Sequence, residues 1–403
     1  MDERQSQFDK PKIKIIAIAK DEGAYISEWI HHHLYFGFDA IEIHINRTSD
    51  NSIDIINTIS NVYPEVSWQS ADWVDMCSSD ARKHMQFIVY ASALAELRKN
   101  GEFSHVFFLD IDEFWCPSDL TLKIQDYLLT FPSDHALFFE WLNDLGDLPE
   151  FSSIPKNLKG NPSPLGKTLL PANADIVEIR NHVSLLKDKS KVRLANGTLF
   201  QGRPKMQQAL LKELSGLKDA FIYHRAHRSQ LEYISLVFRG RPGNEFKYKN
   251  NRAGLPNKDK PVDTVLFPDS AYALYQTSLQ SFLQKVQVED LLPEAIDYVK
   301  TRYVKSINNI KSGLQSNYED MMKIFSGVHS PQVIEKFSQY REEKVRRRPK
   351  NVPLIRQFAL DARHQNIDEA IALMKKAKTL RPENKIIAND LTRFESMKSA
   401  PKE

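Results

Sequence analysis

Phe107-Phe108-Leu109-Asp110-Ile111-Asp112-Glu113-Phe114 is an apolar run that ends in a cluster of carboxylates. Val106 to Leu109 has the length and composition of a buried parallel strand, which predicts that the acids sit at that strand's carboxyl end. Open α/β sheets bind ligands at that edge. Two carboxylates with one residue between them can grip a hard divalent cation, and such a cation neutralises a nucleotide diphosphate. A solvated acidic turn after a core strand would use the same letters, so the flanking sequence has to decide.

Upstream, residues 13–19 (Ile-Lys-Ile-Ile-Ala-Ile-Ala) read as a strand, and Lys20-Asp21-Glu22-Gly23 as the turn leaving it. Residues 24–36 have helical spacing, with Ile26, Ile30, His33 and Leu34 on one side and Gly37 as the stop. Ile41, Ile43 and Ile45 alternate with Glu42, His44 and Asn46 as a second strand should. Residues 46–52 are rich in turn and N-cap types, and Ile53, Ile55, Ile56 and Ile59 then mark a helix. Strand, helix, strand, helix predicts a parallel, right-handed βαβ start.

The 403 residues exceed one ordinary core, so a large domain with an appendage is expected, and 41% hydrophobic content suffices for a buried interior. Only Cys77 and Cys116 occur, which suggests neither a disulfide framework nor a zinc site. No apolar run reaches membrane length and the first eleven residues are polar. A cytoplasmic protein is therefore expected, at most peripheral to the inner membrane face. Residues 201–260 hold 13 Lys/Arg against 5 Asp/Glu, an excess of eight, with Arg225, Arg228, Arg239 and Arg241 beside His224 and His227 and a turn at Pro242-Gly243. Such a segment suits either a solvated basic face or a loop folded over an anionic leaving group. Sparse aromatics and the lack of a nucleic-acid module argue against nucleic acid as a partner.

Residues 151–170 are rich in Pro, Ser, Asn and Lys and read as an irregular excursion over the sheet, and residues 197–202 as a hairpin turn. Helical patterns cover 286–299, 303–324 and 331–340, followed by a charged link at 341–350. Residues 353–394 look like one tetratricopeptide-type helix pair, with Leu354, Phe358, Ala359 and Ala362, then Ala370, Met374 and Ala377, and Pro382 at its close. A single unit cannot stack, so its apolar face needs cover from the chain's own helices, a partner or a second copy. Arg346 to Arg348 fit a solvated linker or a contact with acidic lipid head groups. The expected division is 1–260, 261–350 and 351–403. The triplet His31-His32-His33 cannot converge on one metal from a helix, and an ion pair between Glu28 and His32 is the simplest expectation.

Several motifs together resemble the family 2-like glycosyltransferases, and most closely the branch related to family 92. They are Lys20-Asp21-Glu22, Glu28-Trp29, Gly37, Asn46 with Ser49-Asp50, Gln86 with Tyr90, the strand ending Asp110-Ile111-Asp112-Glu113-Phe114, and Phe221-Ile222-Tyr223-His224 followed by Ser229, Glu232-Tyr233 and Arg239-Gly240. The likeness spans roughly residues 12 to 245. This chain departs from the branch's pattern with Asp21 where Asn is usual and His44-Ile45-Asn46 for Tyr-Asp-Asn.

The resemblance implies a GT-A-type α/β fold, a mostly parallel sheet flanked by helices, with the helical C-terminal region appended. It implies a metal-dependent, inverting transfer of a sugar from a nucleotide-sugar donor, a UDP-sugar, to a hydroxyl of a glycan or glycolipid. Mn²⁺ or Mg²⁺ would sit on Asp112, with Asp110 and His224 as further ligands or contacts. Lys20, Glu22, Asp50, Asp110 and Arg239 would hold the nucleotide. Inversion requires a general base, for which the segment after residue 136 offers Asp144 first and Asp147 second, with Glu140 positioning the sugar. A nucleotidyltransferase would share the sheet and the metal carboxylates, but no Gly-rich phosphate loop with a lysine follows the first strand. A catalytically silent domain recruiting partners through its tail is the other alternative, against which Asp110, Asp112 and His224 stand intact.

Overall fold

The computed structural model describes residues 10–239, 248–256 and 261–399. It is a mixed α/β protein with a curled sheet and C-terminal helices, and its chain divides into two compact units. The first comprises Met1–Ser229, Pro242–Asn244 and Lys258–Lys300; the second comprises Gln230–Arg241, Glu245–Asn257 and Thr301–Glu403.

In the first unit the strands are β1 (Ile13–Ala19), β2 (Ala40–Ile45), β3 (Val66–Ser70), β4 (His105–Asp110), β5 (Glu113–Pro117), β6 (Ala136–Asp144), β7 (Asn157–Pro171), β8 (Ile176–Glu178), β9 (Leu185–Leu186), β10 (Val192–Leu194), β11 (Gly202–Arg203), β12 (Met206–Leu210), β13 (Ala220–His224) and β14 (Asp263–Leu266). The main sheet runs β3-β2-β1-β4-β7-β6-β13-β5, with β10 on β6 and β14 on β7. Pairings β1–β2, β2–β3, β1–β4, β6–β13 and β6–β10 are parallel, while β4–β7, β6–β7, β5–β13 and β7–β14 are antiparallel. The expected mostly parallel sheet is thus a mixed one. Because β7 runs against both neighbours, β4, β6 and β13 all point the same way and deliver their carboxyl ends to one edge.

β7 corrects the reading of residues 151–170 as an irregular excursion. Pro and Gly suggested a loop, yet both serve a central strand here. A Cβ on Gly166 would lie 1.9 Å from Phe139 O and one on Gly160 2.4 Å from Asn143 O, so only glycine permits these approaches. Pro164 falls in a register shift, where Ser163 pairs Trp141 and Gly166 pairs Glu140. The turn expected at 197–202 centres on Gly197 (φ +82°), while Gly202 already begins β11.

The first unit's helices are α1 (Gly23–Tyr35), α2 (Ser52–Ser60), α3 (Ser79–Lys83), α4 (Met85–Asn100) and α5 (Ile124–Leu128); α6 (Gln230–Val237) opens the second unit, and α7 (Asp269–Val286) returns to the first. Tyr90, Leu94 and Leu97 of α4 meet Ile16, Phe108 and Phe138 of the sheet in one core. α1 is buried on nearly every side, between the sheet and α7, which explains its histidines. His32 hydrogen-bonds Trp115 O at 2.8 Å and Tyr275 Oη at 3.1 Å, His33 bonds Trp29 O at 2.8 Å, and His31 bonds Ser278 Oγ at 3.0 Å. Glu28 does not pair with His32; it binds Arg225 at 2.9 Å and Ile154 N–H at 2.6 Å. The alternation of β2 also ends differently, since Glu42 is buried with the isoleucines and is held by Lys14 at 2.5 Å and His44 at 2.8 Å.

Burial lowers the His31 pKa to about 4 and that of His33 to about 3, and pushes His32 well down. The unfolded chain therefore takes up protons that the folded chain refuses, starting near the ordinary histidine value of about 6.5. Stability should fall as pH drops from about 6.5 towards 4, by up to about 1.4 kcal/mol per pH unit for each histidine. Urea unfolding at pH 7, 6 and 5 checks this; equal midpoints would refute it.

The second unit holds α6, α8 (Leu292–Ser316) from Thr301 onward, α9 (Tyr318–Ile324), α10 (Pro331–Arg347), α11 (Val352–Ala362), α12 (Ile367–Leu380) and α13 (Lys385–Ser399). Asn317, Asn351 and Asn366 cap three of these helices through the N–H groups of Asp320, Leu354 and Glu369. Phe358, Ala362, Met374 and Phe394 bury their apolar face against the chain's own Phe325, just past α9, and Phe337 of α10. The stretch read as a charged link from residue 341 is the end of α10. Arg341 is fully buried and clasps Glu369 through two bonds of 2.7 and 2.8 Å, whereas Arg346 to Arg348 remain exposed. Among the described residues no helix is long and apolar enough to cross a membrane.

Candidate active site

Asp110 ends β4 and Glu113 begins β5, so Ile111 and Asp112 form the tight turn between them. The turn is fixed from both sides: Arg225 N–H donates to Asp112 O at 2.7 Å, and Asp110 N–H donates to Glu113 Oε2 at 2.9 Å. His224 pairs in register with Glu113 on one side and Asn143 on the other, which places these three residues on one face of the sheet. His224 Nδ1 meets Asn143 Oδ1 at 2.9 Å, so Nδ1 carries the proton in the neutral ring. Nε2 is then the basic nitrogen, and it lies 3.7 Å from Asp112 Oδ1. Trp141, two residues before Asn143 on the same face, lays its ring 4.2 Å from that of His224.

The acids are not alone. Lys167 of β7, only 2% exposed, puts Nζ 2.9 Å from Asp110 Oδ2 and 3.2 Å from Glu113 Oε2. Burial works against its charge, but Asp110 and Glu113 outweigh it and raise the ammonium's pKa, so the lysine stays protonated. Burial likewise opposes ionisation of Asp110, yet the charge and hydrogen bond of Lys167 hold that carboxyl below its ordinary value. Glu113 is fully enclosed, and burial raises it well above the carboxylate range. Gln86 of α4 donates to Asp110 Oδ1 at 3.4 Å and to Tyr90 Oη at 3.2 Å. Burial and the nearby Lys167 lower the His182 pKa to about 4, and His182 bonds Gly166 O at 3.0 Å.

The turn after β1 is the neighbouring part of the same edge. Asp21 has φ +51°, a conformation tolerated by Asp and Asn alike, which explains why Asp can stand in the position where the resemblance expects Asn. Its carboxylate accepts from Ser49 N–H at 2.9 Å. Asp50 accepts from Gly23 N–H at 2.8 Å and Ser52 N–H at 3.1 Å, so it ties the β2–α2 turn to the start of α1. Glu22 faces Arg228 at 3.5 Å, and Lys20 is half-buried.

Several of the other expected residues, Asp144 and Glu140 among them, take structural positions. Asp144 is fully buried and accepts from His227 N–H at 2.9 Å, from His227 Nδ1 and from Arg228 N–H, which clamps the turn after β13. Asp147 is exposed in the loop after β6. Glu140 accepts from Ser215 Oγ at 2.9 Å and Gly216 N–H at 3.1 Å and pairs with Lys218, so it fastens the loop before β13. Arg225 and Arg228 are buried against Glu28 and Tyr25 and do not form an outward cationic loop. Arg239 lies in the second unit just past α6, where its N–H donates to Leu236 O at 3.3 Å. Gly240, Arg241, Pro242 and Gly243 fall outside the described residues.

Lys167, Asn143 and Trp141 were missed by sequence reasoning. The run Thr168-Leu169-Leu170 was the available strand signal for β7, and the two-residue spacing of Trp141 and Asn143 was the signal for a shared face. Among the described residues no group of three or more His, Cys, Asp or Glu side chains could hold a metal. The Asp112–His224 pair suits a cation whose remaining positions are filled by phosphate oxygens and water, as Mg²⁺ and Mn²⁺ sites commonly are. No family model matches this chain, and no curated protein matches it.

Proposed function

We propose that this chain is a GT-A-type glycosyltransferase that moves a sugar, with inversion, from a UDP-sugar to a hydroxyl of a glycan or glycolipid. The observation that carries the reading is the pairing of Asp112 with His224 at the edge where β4, β6 and β13 end together. The strand order, with β1 to β4 parallel and β7 reversed beside them, supports the same reading. In this reading Asp112 and His224 are the residues that would hold Mn²⁺ or Mg²⁺, together with the donor diphosphate. When bound, the cation supplies charge neutralisation for the leaving group. Asn143 keeps His224 in the tautomer that presents Nε2. Lys167 keeps Asp110 ionised and oriented for a ribose hydroxyl, and Asp50 orders the turn that carries Glu22.

The base role falls to Asp147, since Asp144 already has both oxygens engaged. Asp147→Asn should lower transfer about a hundredfold with donor KM unchanged, the low end of a general-base contribution. An unchanged kcat would remove Asp147 from the chemistry. The reading as a whole is tested by incubating the full chain with UDP-, GDP- and dTDP-sugars and Mn²⁺. Chelator-sensitive hydrolysis of one donor is the expected result, and no turnover of any donor would overturn it.

A further inference from the structure

A cavity of about 280 Å³ lies in the first unit between the β8–β9 hairpin, β10 and the β11–β12 hairpin. Its apolar walls include Val183, Leu186, Val192 and Phe200, members of the core packed under α4. Its polar lining is cationic: Arg180, Lys189 and Arg203 all border it. Arg180 is paired with Glu178 at 2.6 Å, but among the described residues no acid lies within ion-pairing distance of Lys189 or Arg203. Arg203 is held in place through Nε, which donates to Leu210 O at 3.0 Å, leaving the outer guanidinium nitrogens available to a ligand. Two cations without acidic partners beside an aromatic ring form a receptor for an anion that carries a ring face.

Two successive ring contacts link the Asp112–His224 centre to the cavity wall. Trp141 lies against His224, the His182 ring stands edge-on to Trp141 at 4.9 Å, and Val183 follows in the cavity wall. Gln208 of β12 fixes this strip by accepting from the N–H groups of both His182 and Val183.

We propose that this cavity binds an anionic sugar unit, one bearing a carboxylate or a phosphate, and that it is the acceptor subsite. The acceptor assignment rests on the glycosyltransferase reading; the binding of an anionic sugar does not. Calorimetric titration of the full chain in metal-free buffer with glucuronic acid, glucose 6-phosphate and glucose tests it. Either or both anionic sugars should bind and neutral glucose should not, the two anions separating carboxylate from phosphate preference. Arg203→Gln and Lys189→Gln should each weaken binding about tenfold, the loss of one charge-assisted contact. Donor hydrolysis, measured on the same samples, should be unchanged by either variant. Equal binding of glucose, no binding of any sugar, or unaltered affinity in both variants would overturn the proposal. Loss of donor hydrolysis in the unmutated chain would instead strike the functional reading and leave the sugar titration standing.

Discussion

Asp112→Ala should abolish the metal-dependent part of UDP binding and lower donor turnover about a thousandfold. On the proposed glycosyltransferase reading this change removes a cation that would stabilise the leaving diphosphate by several kcal/mol, at about 1.4 kcal/mol per factor of ten. Asp112 is expected to matter more than Asp110 because Asp110 already faces the ammonium of Lys167. Calorimetry of UDP with and without Mn²⁺ reads the effect directly. Affinity in the variant should match that of the unmutated chain in chelator, and a variant that still gains affinity from Mn²⁺ would refute the role. His224→Ala should act in the same direction, since its Nε2 lies on the same centre.

Lys167→Met should cost about 1.5 kcal/mol of folding stability, because it removes the ammonium that hydrogen-bonds the half-exposed Asp110 carboxylate and meets the enclosed Glu113. The Asp110 carboxyl is held below its ordinary value, so its contribution is present above the unfolded carboxylate pKa of about 3.9 and is lost as pH falls through the folded value. The gap between the variant and the unmutated chain should therefore narrow in acid. Glu113→Gln is the control. Glu113 is driven towards its neutral form by burial, and glutamine keeps an oxygen for Asp110 N–H, so this change should be mild. Chemical denaturation at pH 7 and at pH 2 to 3, below the unfolded carboxylate value, decides between these outcomes; a Lys167→Met protein as stable as the unmutated one would refute the coupling.

The elements that the sequence announced are those whose packing follows a simple period. β1, α1, β2 and α2 carry clear repeats of buried isoleucine, and Asp110 and Asp112 end an uninterrupted apolar strand. β7 was illegible because its glycines and prolines answer to the backbones of β6, a constraint that only the folded sheet imposes. The site follows the same division. Asp112 and His224 could be named from motifs, but their proximity depends on the β5–β13 register. Lys167 lies 57 residues from Asp110 along the chain, and no local pattern links them. Asp144 and Asp147 look alike as letters; one is enclosed by the turn it clamps and the other is open to solvent.

The buried histidine triplet affects how metal binding can be assayed. His31, His32 and His33 are engaged inside the folded chain, whereas unfolding releases three adjacent imidazoles into water. Ni²⁺, Cu²⁺ and Zn²⁺ favour imidazole, and any ligand captured by the unfolded chain lowers the melting temperature. A thermal-shift screen across metals would then superimpose two opposing signals, stabilisation through Asp112 and His224 and destabilisation through the released triplet. Mg²⁺ and Mn²⁺, which prefer oxygen donors, would largely escape the second. Ranking metals by melting temperature would therefore understate the affinity of the nitrogen-seeking ions for the site proposed at Asp112 and His224.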